Sequence, residues 1–199
     1  GSLEGKVVLI TGATGGIGRA AALALASEGP ELVLLCRNRA KGEAMQHTLA
    51  AETGNDRSPL LLCDLSSQAQ IRAAAERFLA EGKPLHVLLN NAGVLNFWRE
   101  DTEDGIEGTW AVNHLAYFLL TSLLLERLLV HASDTRDFDR LPIPFRAVAT
   151  DIANDKKVIF RSGHLPQAIR ASMSIPAVFA PVELDGRLLV DGGMVDNIP

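Results

Sequence analysis

The run "KVVLITGATGGIGRAAALALASEG", Lys6 to Gly29, constrains the fold of this chain more than any other stretch. A short, β-branched apolar strand passes through a glycine turn directly into an alanine-rich helix. Gly12, Gly16 and Gly18 are spaced G-x-x-x-G-x-G, with Gly15 beside them. Glycine is needed in such a turn where backbone must approach a pyrophosphate closely, with helix N-terminal amides exposed and no Cβ in the way. The spacing alone says little, but a strand before it and a helix after it make it a nucleotide loop.

The same alternation continues. "ELVLLC" reads as a second strand, a polar helix follows from about Ala40 to Thr53, and "PLLLCDL" makes a third strand. The helix "SQAQIRAAAERFLAEG" leads into a fourth strand, "LHVLLNNAG". This order predicts an α/β fold of the Rossmann-like, doubly wound kind, a mostly parallel sheet with helices on both faces. A chain of 199 residues supports one sizeable core, so a single domain over 1–199 is expected.

Hydrophobic content of 47% with 22% charge fits a soluble protein, and a net charge of -5 gives no general attraction for nucleic acid or anionic lipid. Any phosphate must therefore be held by local geometry. The apolar run "AYFLLTSLLLERLLV" is broken by Thr121, Ser122, Glu126 and Arg127 and is expected to be a buried helix, too short and too polar for a bilayer span. No charged-then-apolar leader opens the chain and Gly1-Ser2 resembles a tag remnant, which predicts a cytoplasmic location or recombinant expression. Cys36 and Cys63 lack the spacing of a zinc site or a redox dithiol, so two buried, reduced thiols and no metal site are expected.

The charge at the end of the second strand bears on cofactor choice. An acidic residue there would accept hydrogen bonds from a ribose 2′-hydroxyl, whereas a guanidinium suits a 2′-phosphate. Arg37 stands there, with Arg39 and Lys41 behind it, which favours NADP over NAD.

"TGATGGIG", "CDL", "NNAG" and "VNHLAYFLLTSLLLERLL" together resemble the short-chain dehydrogenase/reductase family, in particular its retinol-dehydrogenase-like members, over roughly residues 3–130. The resemblance implies that Gly12, Thr14, Gly16, Ile17 and Gly18 hold the dinucleotide and that Asp64 and Leu65 flank its adenine. It further implies that Asn90, Ala92 and Gly93 stabilise the central sheet beside the ribose, and that Asn113 is the helix asparagine of the catalytic set. That set also relies on a tyrosine with a lysine four residues later. The single tyrosine, Tyr117, is followed at that distance by Thr121, and it is expected to be a packed aromatic.

Beyond "VHASDTRDFDRL" the texture changes. "PIPFRAVATDI" and "KKVIF" read as two strands joined by a polar turn, "HLPQAIRASMSIP" as a short helix ending at Pro176, and "GRLLVDGG" as a final strand. From about Phe138 onward, "LPIPFRAVATDI", "AIRASMSIPAVFAPVELDGRLLVDGG" and "DNIP" resemble the patatin-like phospholipases. That resemblance implies that Asp191, oriented by Gly192 and Gly193, is the aspartate of a serine-aspartate dyad. No G-x-S-x-G elbow occurs to supply the serine. "GATGG" has its outline with Thr14 in the serine position, but a β-branched residue fits a strained elbow poorly and the nucleotide loop accounts for each glycine.

These readings predict a chimera, engineered or recombined, sutured near Val130 to Asp139. Its strand at Phe145 to Thr150 should extend the first sheet, parallel to "HVLLNN". With remnants Asn113 and Asp191 but no complete catalytic site, it is expected to keep an NADP loop that binds weakly or not at all. The alternatives are an NADP-dependent short-chain oxidoreductase and a patatin-like acyl hydrolase.

Overall fold

The computed structural model describes residues 1–129, 135–141, 145–174 and 180–192, apart from the side chains of 126–128. The chain divides into two compact units, Gly1–Leu128 and Leu129–Pro199.

In the first unit β1 (Val7–Thr11), β2 (Glu31–Cys36), β3 (Leu60–Leu62) and β4 (Val87–Leu89) form one parallel sheet in the order β3-β2-β1-β4. The helices α1 (Gly16–Ser27), α2 (Arg39–Thr53) and α3 (Gln68–Ala80) are the crossovers. Strand side chains alternate between faces, and here both faces are apolar. Val7, Leu9, Val33, Leu35 and Leu61 pack with Ile71, Ala74, Ala75 and Phe78 of α3 and with Leu120 and Leu124 of α5 (Ala116–Leu128). Val8, Ile10, Leu32 and Leu34 pack instead with Ala22 and Ala26 of α1 and Met45 and Leu49 of α2. All five residues of β1 are buried, as a central parallel strand covered on both sides requires.

Side-chain contacts close the helix and strand ends. Asn38 caps α2 by accepting from the Lys41 amide at 3.0 Å. Asn55 is buried between elements: its Nδ2 donates to the carbonyls of Ala26 (3.0 Å) and Pro30 (2.9 Å), and its Oδ1 accepts from the Arg57 amide (2.9 Å). His86 Nδ1 accepts from the Val7 amide at 2.9 Å, at the start of β1.

The helical run that includes the expected buried helix is longer than its most apolar stretch. A short helix, α4 (Gly108–Trp110), continues through a π-helical turn at Ala111–Leu115 into α5. Gly108–Leu125, 18 residues, is by length and composition alone long and apolar enough to cross a membrane, a test that a buried core helix also passes. Ala116, Leu120 and Leu124 of this run are buried in the core of the first unit.

The second unit holds a separate, antiparallel sheet in the order β6-β5-β8-β7, from β5 (Ala147–Asp151), β6 (Lys156–Phe160), β7 (Val182–Leu184) and β8 (Arg187–Asp191). The expected strand near Phe145 to Thr150 does form, but it does not extend the first sheet. It pairs antiparallel with β6, Ala147 opposite Phe160 and Asp151 opposite Lys156, and with β8. Nearness decides this: the turn at 152–155 returns the chain along β5 at small loop-closure cost. The single continuous sheet is therefore replaced by two.

Two left-handed residues, Asp185 and Gly186, close the β7–β8 hairpin. The helix α6 (Leu165–Ser172) carries Pro166 in its first turn and ends before Pro176. It packs Ala171 against Ala149 and Leu189 of the sheet. Pro176, Gly193, the "DNIP" segment and part of the proposed suture at 130–134 lie outside the described residues.

Candidate functional site

The carboxyl ends of the parallel strands border a cleft of about 590 Å³, lying wholly within the first unit. Its floor is the turn between β1 and α1. Gly12 has φ +70, a left-handed conformation, and a Cβ there would stand 2.7 Å from Ala92 Cα. A Cβ on Gly18 would overlap the Gly12 carbonyl oxygen and the side-chain amide of Asn91. Gly16 is also left-handed, at φ +51, but faces open space. The three glycines thus serve distinct needs: close approach at Gly18, backbone shape at Gly16, and both at Gly12.

The start of α1 is open. Its N-cap, Gly15, has no side chain to accept a hydrogen bond, and no acidic residue lies in the first turn. α2 and α3, by contrast, are capped by Asn38 and Ser67. Uncapped amides and the positive end of the helix dipole leave this turn suited to an anion.

A polar lock fixes the facing wall. Thr11 Oγ1, at the end of β1, accepts from the amides of Asn91 (2.9 Å) and Ala92 (3.0 Å). Asn91 Nδ2 donates back to the carbonyls of Thr11 (3.1 Å) and Gly12 (3.3 Å). The loop after β4 is thereby tied to the glycine turn. Asn113 holds the next stretch: its Oδ1 accepts from the Val94 amide at 2.9 Å and its Nδ2 donates to the Val94 carbonyl at 2.8 Å.

Most of the residues expected to bind a dinucleotide meet here. Gly12, Thr14, Gly16, Ile17, Gly18, Arg37, Asp64, Leu65, Ala92 and Gly93 all line the cleft. Asn90 does not. Its Nδ2 donates to Thr121 Oγ1 on α5 at 3.1 Å, and its buried Oδ1 has no hydrogen-bond partner among the described residues. The neighbouring Asn91 is the one that reaches the glycine turn, because successive side chains leave an extended backbone on opposite sides. Asn113 lies outside the lining and serves as the clamp on Val94.

Sequence reasoning missed Asn91, Thr11 and Val94, although a hydroxyl directly before Gly12 and the doubled asparagine were visible signals. It also missed that both cysteines line the cleft. Both are free and buried, and burial pushes the Cys63 thiol up to about 12, with the Asp64 charge adding to the shift. Tyr117 packs against the core of the first unit. Burial pushes its phenol up, against the pull of a hydrogen bond with Thr11.

Arg37 is exposed at the cleft edge and, among the described residues, has no ion-pair partner, whereas Arg39 is engaged by Glu43 at 3.5 Å. The open helix start, the glycine cradle and this free guanidinium fit a phosphorylated dinucleotide.

The family model described as short chain dehydrogenase matches residues 6–135. The chain belongs to the short chain dehydrogenase family. Its similarity to retinol dehydrogenase 12 of Mus musculus is 50% identity over 126 residues, 63% of this chain and 40% of that protein. Polyprenol dehydrogenase of Mus musculus is 44% identical over 132 residues, 66% of this chain and 39% of that protein. The chain thus spans about 40% of the length of these relatives. Among solved structures, a short chain dehydrogenase from Escherichia coli CFT073 complexed with NADPH matches with TM-score 0.56 and 32% identity, over 64% of this chain and 55% of that one. One from Shigella flexneri 2a str. 301 complexed with NADP matches with TM-score 0.56 and 31% identity, over the same shares, 64% and 55%.

These findings overturn the expectation of an engineered or recombined chimera that keeps only a residual loop. The matched relatives are dehydrogenases of the short-chain class, which points to the NADP-dependent oxidoreductase held as the alternative. None of these matches supports a patatin-like origin for residues 138–199. Asp191 sits at the end of β8, where its amide donates to the Ser174 carbonyl (2.8 Å) and its carbonyl accepts from Thr150 Oγ1 (3.1 Å). Thr14 lies in the first unit and Asp191 in the second.

Proposed function

We propose that this chain holds NADP(H) for a short-chain oxidoreductase acting on an apolar alcohol or its carbonyl counterpart. The observation that carries the reading is the cleft at Gly12, Gly16 and Gly18, where backbone excludes a side chain at Gly12 and Gly18 and a guanidinium without an ion-pair partner among the described residues, Arg37, stands at the other edge. The amides at the start of α1 would take the pyrophosphate, and Arg37 the 2′-phosphate. Asp64 and Leu65 border the adenine side, and Ala92 and Gly93 the ribose side. The cofactor, when bound, supplies a hydride acceptor or donor. The chain's own contribution is to bind and orient it and to keep the wall rigid through Thr11, Asn91 and Asn113. The apolar substrate class follows from the names of the relatives, retinol and polyprenol dehydrogenases.

Isothermal titration with NADPH and NADH tests this directly. Saturable NADPH binding, at least about tenfold tighter than NADH, is expected from one charge-assisted contact to the 2′-phosphate. No saturable NADPH binding by a chain with the expected helical circular dichroism would refute the reading. Binding is the discriminating readout, because the tyrosine with a lysine four residues later, on which the family's catalytic set relies, does not occur in the sequence.

A further inference from the structure

We propose that Leu95, Phe97 and Trp98, with Ile17, form a seat at the mouth of the cleft for the hydrocarbon part of an apolar alcohol or aldehyde. The proposal rests on the cofactor reading above and assigns the residues that would select the substrate.

These four side chains are the most exposed large apolar groups among the described residues: Ile17 83%, Leu95 74%, Phe97 86% and Trp98 84%. Their position gives that exposure meaning. Ile17 and Val94 both line the cleft, and Leu95 follows Val94 directly. One trans peptide places their Cα atoms about 3.8 Å apart, and chain reach keeps Phe97 and Trp98 within about 15 Å of Val94. The three exposed apolar side chains thus stand on the loop that runs on from the cleft wall at Val94.

The loop is also held in place. Asn113 clamps Val94 on both backbone groups, and the Asn96 amide donates to Thr109 Oγ1 at 3.4 Å. Gly108 N donates to the Glu100 carbonyl at 2.8 Å, and the Gln68 amide at the start of α3 donates to Asp104 Oδ2 at 2.9 Å. Ser67 Oγ donates to Glu103 Oε1 beside it. Exposed aromatic groups on a tethered loop are presented in advance, which lowers the ordering cost of a ligand.

Three occupants are conceivable, and the observations favour a small apolar molecule. Glu100, Asp101, Glu103 and Asp104 follow the strip with only Arg99 against them, a charge balance that disfavours the surface of an anionic bilayer. Ile17, Leu95, Phe97 and Trp98 together offer at most about 750 Å², below the roughly 800 Å² per partner of a stable interface with a second copy. An isoprenoid chain of the kind named in retinol and polyprenol dehydrogenases is long, apolar and narrow, and it fits apolar side chains on a loop that runs on from the cleft wall.

All-trans-retinol is the probe, read by the enhancement of its own emission, with the full chain and with its Phe97→Ser/Trp98→Ser variant. Both side chains are exposed, so the variant should fold, and circular dichroism with an NADPH titration checks that it does. Retinol affinity is expected to fall by about a hundredfold in the variant, roughly a decade for each of the two large apolar side chains removed, while NADPH affinity stays within about twofold. Equal retinol binding by both proteins would overturn the proposal, as would no retinol binding by a parent chain that binds NADPH. Loss in the variant of binding to phosphatidylcholine vesicles, or of self-association in sedimentation, without a change in retinol affinity would assign the strip to a bilayer or a second copy and overturn it too. Variant-sensitive retinol binding in a chain that fails to bind NADPH would uphold the seat and refute the cofactor reading alone.

Discussion

The side-chain amide of Asn91 and the carbonyl of Gly12 meet at 3.3 Å across the space that any side chain on Gly18 would have to occupy. Gly18→Ala should therefore part the β1–α1 turn from the loop after β4. Overpacking of this kind costs about 1–3 kcal/mol, and NADPH affinity should fall by about tenfold or more. Gly15→Ala is the control, because its backbone is extended and a Cβ there meets open space. Urea melts and NADPH titrations of both variants check the contrast, and equal effects would refute the assigned roles.

Arg37 is predicted to set the choice between the two dinucleotides. A charge-assisted contact to a 2′-phosphate contributes about 1.5–3 kcal/mol, so Arg37→Asp should narrow or reverse the preference for NADP. Arg39 should matter less, since Glu43 already engages it. Competition titrations with the two cofactors decide this, and equal affinities in the unaltered protein would remove the basis for the assignment.

Asn55 makes three hydrogen bonds from a buried position, joining the ends of α1, β2 and α2. Asn55→Leu would take their partner from the Pro30 carbonyl and the Arg57 amide, while the Ala26 carbonyl keeps the Gly29 amide at 3.1 Å. A loss of about 3 kcal/mol is expected, measured by urea denaturation of the full chain. Asn55→Asp should be no milder, since it sets a carboxylate against the carbonyls of Ala26 and Pro30.

Cys63, with its thiol pushed up from 9.0 to about 12, should be nearly inert in the folded protein. At pH 8 its thiolate fraction is about a thousandfold below that of an ordinary cysteine. Alkylation by iodoacetamide should therefore be slow until the chain is unfolded. The raised value also fixes the sign of a stability effect. The folded state retains the proton more tightly, so this contribution is complete below about pH 9 and is lost as pH rises toward about 12. Cys63→Ala should flatten that alkaline decline in thermal melts.

The parallel sheet was legible because each of its parts carries an independent signal: apolar strands, a glycine turn and crossover helices of the right length. The cleft was legible for the same reason, since ten of the expected residues border it. The choice between Asn90 and Asn91 was not, because two adjacent asparagines differ only in which side of the backbone they leave. β5 was misplaced because strand order was weighed above loop length, while the nearby "KKVIF" offered an antiparallel partner at once. The β7–β8 hairpin was read as one strand, although Asp185-Gly186 is a recognised signal for a two-residue turn. The reading of residues 138–199 through a second family carried the functional conclusion away from the dehydrogenase class to which the first 135 residues point.

The complete burial of β1 has a consequence for how the sheet finds its alignment. A strand with one wet face is held in phase by its hydrophobic pattern, because a shift by one residue would turn its oily side to water. β1 has no wet face, so Val7, Val8, Leu9 and Ile10 could slide by one place and remain covered. The phase must then be read from the polar ends: the His86 imidazole on the Val7 amide at one, and the Thr11 hydroxyl on the amides of Asn91 and Ala92 at the other. The threonine that shapes the cleft wall is thus also a ruler for the core. A substitution there, such as Thr11→Val, would leave the interior as oily as before and blur where each strand begins.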